Sequence, residues 1–219
     1  MNLSKSQFLE KYQSKENFFY YKEVPSDLIT PVSTLLALES TSPYHCLLES
    51  VTGGEKKARY SIVCLLPDIV WEYKNREISK YKSEKSQILE KSEIKDNDDI
   101  FNSLRALIAS SKIADYQGLP PSAGGLYGFM GYDMVKVMEE LPDDNPRNID
   151  IPDSLYFRPQ IQIIFDNILD KAYIINSVFY DESFSAEDKL QASSELIRQI
   201  EEKIFSYKFT SQIKQAQSE

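Results

Sequence analysis

The chain has 219 residues, of which 42% are hydrophobic and 12% aromatic, and a formal net charge of -9. That is enough apolar material for one large domain, or two small ones sharing a core, and it excludes a disordered chain. The acidic balance argues against a nucleic-acid partner, which calls for a basic face; no apolar run approaches the roughly 20 residues of a membrane span.

The N-terminus lacks the basic, apolar and small-residue blocks of a signal peptide, so a cytoplasmic, reducing setting is expected. The two cysteines, Cys46 and Cys64, form no CxxC pair and have no histidine cluster beside them. Zinc is therefore not expected, and two free thiols on apolar strands are.

Along the chain, residues 1–27 read as mixed and polar, with a short strand at Phe18 to Tyr21. Thr30-Pro31-Val32-Ser33 opens a helix running from Thr34 to Glu39, and Pro31 suits a first turn because its missing donor is not needed there. Tyr44 to Ser50 and Arg59 to Leu66 predict two strands joined through a turn at Thr52-Gly53-Gly54-Glu55. Pro67-Asp68 turns the chain, and a further hairpin follows around Asn75-Arg76. Residues 82–97, rich in Lys, Glu and Ser, read as a solvated loop.

Asn97 and Asp98 can cap a helix whose apolar stripe is Phe101, Leu104, Leu107 and Ile108. Leu126 to Met130 is strand-like, Met134 to Met138 a helical turn, and 142–153 surface loop. Ile161 to Asp166 and Ala172 to Phe179 predict an antiparallel pair turning between Asn167 and Asp170. Ser185 and Asp188 resemble a capping box ahead of a helix with the stripe Leu190, Ile197, Ile200 and Ile204. Residues 206–219 read as a polar connector that has been cut. No repeat and no βαβα alternation is present, so the fold class is α+β: mixed, mainly antiparallel sheets with packed helices.

Few residues carry chemistry. The one histidine, His45, lies on an apolar strand with no partner nearby in sequence, and alternation sends Cys46 to the opposite face. There is no HExxH, GxSxG or phosphate loop. Glu49 and Ser50 close a hydrophobic strand. A carboxylate and a hydroxyl there can hold an amine-bearing ligand, with Arg59 receiving a ligand carboxylate; equally, Glu49 and Arg59 can form an ion pair beside a turn. Gly124 to Asp133 holds four of the seven glycines. Tyr, Phe and Met fill its other positions and no Lys-Ser or Lys-Thr follows, so a tight bulged strand fits better than a phosphate cradle.

These blocks together resemble the N-terminal region of anthranilate synthase component I, within the chorismate-utilising enzymes. The likeness runs through Thr30-Pro31-Val32-Ser33, Leu47-Leu48-Glu49-Ser50, Gly53-Gly54-Glu55 and Arg59-Tyr60-Ser61. It continues through Gly124 to Asp133, Glu140-Leu141-Pro142, Ile151-Pro152-Asp153 and Phe165-Asp166. The resemblance implies a carbon–oxygen lyase that makes anthranilate and pyruvate from chorismate and ammonia with Mg²⁺. It also implies a glutamine amidotransferase subunit as the ammonia source. The chorismate and Mg²⁺ residues belong to a C-terminal domain beyond this chain. No catalytic or metal position is therefore carried over, and the chain alone is expected to be inactive and to need no cofactor. What is carried over is a feedback site for L-tryptophan at Pro31, Leu48, Glu49, Ser50 and Arg59. Residues 1–205 are then a regulatory and scaffold domain, and 206–219 a linker.

Two alternatives stand beside this reading. The large subunit of aminodeoxychorismate synthase, of the folate pathway, is homologous and uses the same substrate. A standalone small-molecule binding module is the other. A chain separated from its catalytic domain is also expected to expose apolar surface and to self-associate through it.

Overall fold

The structure is a computed structural model; it describes residues 1–51, 57–82, 87–93, 97–114, 116, 118–141 and 149–208, with the backbone alone for 50–51, 57–58, 87–93 and 97–98. Two long strands form its spine. β3 (Lys57–Lys74) and β7 (Ser154–Asp166) run antiparallel along most of their lengths, from Tyr60 opposite Asp166 to Tyr73 opposite Ser154. Each changes its other neighbour part-way. β3 pairs with β2 (His45–Val51) along its first half and with β4 (Glu77–Lys82) along its second. β7 pairs with β6 (Tyr127–Met130) at its start and with β8 (Lys171–Val178) at its end. β1 (Phe18–Pro25) flanks β8, and β5 (Gln87–Glu93) flanks β4. All pairs are antiparallel, as the α+β reading expects.

The change of partner falls where the β3–β7 register shifts, between Pro67 and Ile69. The expected turn at Pro67-Asp68 is therefore corrected: the strand continues through a bulge. Pro67 faces Pro159, so two residues without an N–H sit where the ladder breaks and cost it no donor. Leu66 takes a positive φ of 53° there, and its N–H is bonded to Ser42 Oγ at 3.1 Å. The side chain of Asp68 takes a two-point bond from Arg158, at 2.8 and 2.5 Å, which ties the bulge to β7.

Three helices cover one face of the first half. α1 (Lys5–Gln13) contributes Phe8 and Tyr12, α2 (Pro31–Leu38) Leu38, and α5 (Ala186–Ser206) Ile197, Ile200 and Ile204. They meet Val63 and Leu65 of β3, Ile161, Ile163 and Phe165 of β7, and Ile174 of β8. The opposite face of the same strands is also buried, Ile164 and Ile175 packing with Phe19, Ile113 and Ala123. Two-sided burial explains why adjacent positions Ile163, Ile164 and Phe165 are all apolar. α3 (Asn97–Ser110) packs Ile100 and Leu107 on Trp71, Tyr73 and Ile78 of the second half, joined by Met134 just ahead of α4 (Val135–Met138).

Several elements differ from expectation. α1 lies within the stretch read as polar; its capping box, Ser4 with Gln7, was in the sequence, but only Phe8 and Tyr12 mark its buried side. Residues 87–93, read as loop, form edge strand β5, whose charge is that of a sheet margin. The stripe of α3 is turned: Ile100, Leu104 and Leu107 face inward, whereas Ile108 is 47% exposed. The Thr52–Glu55 turn and residues 209–219 lie outside the described residues.

Candidate functional site

α2 begins as its sequence predicts. Thr30 Oγ1 accepts from the Ser33 N–H at 3.1 Å, Ser33 Oγ accepts from the Thr30 N–H at 2.9 Å, and Pro31 takes the first helical turn. The helix lies over β2 and β3, where Leu35 and Leu47 join the main core. Pairing of Leu47 with Val63, Leu48 with Ile62 and Glu49 with Ser61 places alternate residues on alternate faces. Leu47 and Glu49 therefore share the α2 face with Ser61, and Leu48 shares the other with Cys46. Glu49 is exposed, and Leu48 is 48% exposed beside the half-buried Cys46 and Leu47. Pro31 is half-buried at the helix start. Ser50 lies on β2, but its side chain is outside the described residues.

Arg59 lies near the start of β3, its guanidinium over the Tyr60 ring at 4.9 Å from the centroid. Its partner is Asp166, not Glu49: Nε lies 3.2 and 3.3 Å from the two carboxylate oxygens, and a terminal nitrogen 2.9 Å from Oδ2. Asp166 is 2% exposed. Its Oδ1 also accepts from the N–H groups of Ile168 and Leu169, which shapes the β7–β8 turn. Burial alone would raise the Asp166 carboxyl, but the Arg59 guanidinium and the two N–H groups outweigh it and hold it below the usual carboxylate range. The same contact raises the guanidinium, which stays charged. This anchor was legible only as the motif Phe165-Asp166 ahead of a turn; nothing in the spacing joins it to Arg59, 107 residues away.

On the opposite face of β2 runs a groove of about 330 Å³. Tyr44, Cys46 and Leu48 form one wall, Phe129 the other, and Leu155 and Phe157 the floor. Gly128 is required here by close approach: a Cβ would lie 1.9 Å from the Leu155 carbonyl oxygen. The glycine block is thus the tight strand the sequence suggests, with Gly124 held by Gln162, whose Oε1 accepts from its N–H at 2.6 Å. Gln162 donates in turn to the Tyr127 hydroxyl at 2.8 Å, and that hydroxyl donates to Ser122 O at 2.9 Å. A glutamine inside an apolar strand was the available signal for this buried network. His45, at the groove's edge, has Nδ1 3.0 Å from Ser42 O. Among the described residues no three His, Cys, Asp or Glu side chains come together as a metal-holding group. Among them, too, no helix is long and apolar enough to cross a membrane.

Anthranilate synthase component 1 of Cereibacter sphaeroides is 33% identical over 196 residues, 87% of this chain and 38% of that protein. The chain belongs to the anthranilate synthase component 1 family. The component 1 proteins of Pseudomonas putida and a Synechocystis species match at 33% and 32% identity, over 81% and 78% of this chain. No family model matches. The crystal structure of anthranilate synthase component I from Streptococcus pneumoniae aligns with 81% of this chain and 36% of that one, at 21% identity and a TM-score of 0.49. The chain spans 32% to 38% of the length of the three relatives.

Proposed function

We propose that this chain is the regulatory, non-catalytic part of an anthranilate synthase component 1, and that it contributes one wall of a feedback site for L-tryptophan. The supporting observation is the end of β2. Glu49 and Leu48 remain exposed there, in a chain similar to the anthranilate synthase component 1 proteins of several bacteria. Glu49 takes the ligand ammonium, Ser50 adds a hydrogen bond, Pro31 and Leu48 supply apolar surface, and Arg59, already fixed by Asp166, adds positive charge near the ligand carboxylate. Because Leu48 and Glu49 face opposite ways, one small ligand reaches both only around the end of the strand. The rest of the site then comes from the chorismate-binding domain.

In this reading residues 1–205 form the regulatory domain and 206–219 lead towards the catalytic one. The complete enzyme converts chorismate and ammonia into anthranilate and pyruvate in the cytoplasm, with Mg²⁺ held by the catalytic domain and ammonia supplied by a glutamine amidotransferase subunit. Exposed apolar side chains support a docked domain on this side: Leu48, Phe129, Met130, Tyr132 and Met138 are each 41% to 92% exposed. Tryptophan favours the domain arrangement with poorer catalysis, and the catalytic ligands oppose tryptophan by the same factor.

Calorimetric titration of the chain with L-tryptophan tests this, first alone and then with the separately expressed chorismate-binding domain. Heat is the readout because Trp71 and the ligand share one chromophore. Saturable binding in either arm supports the sensor, and binding in the second arm alone makes the chain half of it. Absence of binding in both sinks the reading and favours the aminodeoxychorismate synthase relationship.

A further inference from the structure

The two cysteines, far apart in role on the sequence, are direct cross-strand partners. Cys46 of β2 lies opposite Cys64 of β3, on the same face, and neither is in a disulfide. Both pack in one cluster with Val70 and Phe157. Directly opposed residues of an antiparallel pair have Cβ atoms roughly 4.5–5.5 Å apart, and a disulfide needs roughly 3.5–4.5 Å, so a small local approach closes the bond.

Access to the two sulfurs is unequal. Cys46 is half-buried and lines the groove, whereas Cys64 is fully buried beneath it. Cys64 packs among Val70, Ile62 and Phe157, with one polar side chain beside its sulfur. Gln162 Nε2 lies 3.8 Å from its sulfur and also bonds the Tyr127 hydroxyl. The neighbouring Cys64 side chain lowers the Cys46 thiol, while burial pushes the Cys64 thiol well up. Of the two, the accessible sulfur is the more readily ionised and the inner one the less, the order that makes one cysteine the nucleophile and the other its reserve.

We propose that Cys46 and Cys64 form a thiol–disulfide exchange site that takes a small disulfide of the glutathione class from the groove. The Cys46 thiolate attacks one sulfur of the small disulfide. The S–S bond of the oxidant breaks, one small thiol leaves, and a mixed disulfide forms on Cys46. Cys64 then gives up its proton and attacks the Cys46 sulfur, expelling the second small thiol. In sum, two protein thiols and one small disulfide become one protein disulfide and two small thiols. Two electrons pass from protein to oxidant, and the two thiol protons end on the released thiols. Because burial opposes ionisation of Cys64, the second step is slower than the first and the mixed disulfide accumulates. The new bond staples β2 to β3 two residues before Leu48, on the groove face. The proposal does not rest on tryptophan sensing.

The test uses the full chain, reduced, freed of reductant and exposed to oxidised glutathione. Samples quenched by alkylation are read by intact mass and by peptide mapping. The expected course is transient glutathionylation of Cys46, followed by loss of both alkylatable thiols with a Cys46–Cys64 linked peptide and no adduct. Cys64→Ser is expected to stop at the Cys46 adduct, and Cys46→Ser to resist modification until unfolded. Far-ultraviolet circular dichroism checks that each variant folds. If a variant does not fold, the wild-type peptide map decides alone. Persistence of two free thiols, adduct formation first on Cys64, or an adduct on wild-type Cys46 that never resolves overturns the proposal.

Discussion

The Tyr44 and Tyr81 hydroxyls meet at 2.6 Å, joining the residue ahead of β2 to the end of β4 across the groove face of the sheet. Both rings lie with Phe157 in one cluster, so the pair draws together the two halves that β3 serves in turn. Burial, and then the bond to Tyr44, pushes the Tyr81 phenol far above its ordinary range. Tyr81→Phe removes the bond and leaves the ring. A cost of about 1 kcal/mol is expected, read as a lower urea midpoint with an unchanged slope. An unaltered midpoint means that the two hydroxyls are as well satisfied by water.

Asp166 predicts a pH dependence. Its folded-state pKa is lowered, so its stabilising share is fully present above the unfolded value, about 3.9, and is lost as pH falls through the lowered folded value. Asp166→Asn keeps an acceptor for the turn but not the charge that holds Arg59. At neutral pH it should cost about 1–2 kcal/mol, at the low end for a charged bond because Arg59 is half exposed to solvent. Below about pH 4 the stability curves of wild type and variant should converge. Parallel curves through the acid range contradict this account.

Gly128 marks the tightest backbone approach beside the groove. A methyl group there would stand 1.9 Å from Leu155 O and 2.8 Å from Tyr156 Cα, both main-chain atoms that cannot yield without moving β7. Gly128→Ala should therefore detach β6 and not merely strain it. The expected cost is about 1–3 kcal/mol, with faster hydrogen exchange at Tyr127 to Met130 and little change in β8. Uniform acceleration across the sheet would point instead to a global loss of stability.

What the sequence disclosed follows from how each element is buried. β7, β8 and α5 were legible because Ile161 to Phe165, Ala172 to Phe179 and the Ile197, Ile200, Ile204 stripe are apolar at the right period and bounded by turn or cap residues. α1 was not, because two aromatics among lysines and serines give too little period. β5 was not, because an edge strand tolerates charge that a loop would also carry. Pro67-Asp68 looked like a turn because the sequence does not show that Pro159 waits opposite. In the candidate site, alternation alone separates Leu48 from Glu49, and the structure keeps them on opposite faces. The Asp166 anchor and the Cys46–Cys64 contact come from strand pairing, which one sequence does not reveal.

Glu49 tests the proposed sensor without touching the fold, because its side chain is exposed. Glu49→Gln removes the charge from a carboxylate–ammonium bond worth about 1.5–3 kcal/mol, so the tryptophan inhibition constant of the full-length enzyme should rise roughly ten- to hundredfold. The uninhibited rate should barely change. Ser50→Phe should act in the same direction by occupying space. Inhibition curves that overlay the unmutated enzyme's would remove Glu49 from the site.

Trp71 reports on the second half of the sheet. It is fully buried, and its indole N–H donates to Ser103 Oγ of α3 at 3.0 Å. That bond fixes α3 against β3 in the rotation that turns Ile100 and Leu107 inward and leaves Ile108 towards solvent. Ser103→Ala leaves a buried donor without its acceptor, at about 1–3 kcal/mol. As the chain has a single tryptophan, its emission gives an unmixed signal. The expected outcome is a shifted native emission maximum and a lower urea midpoint, both restored by Ser103→Thr. A normal emission maximum with a normal midpoint would show that apolar packing alone holds α3 in this rotation.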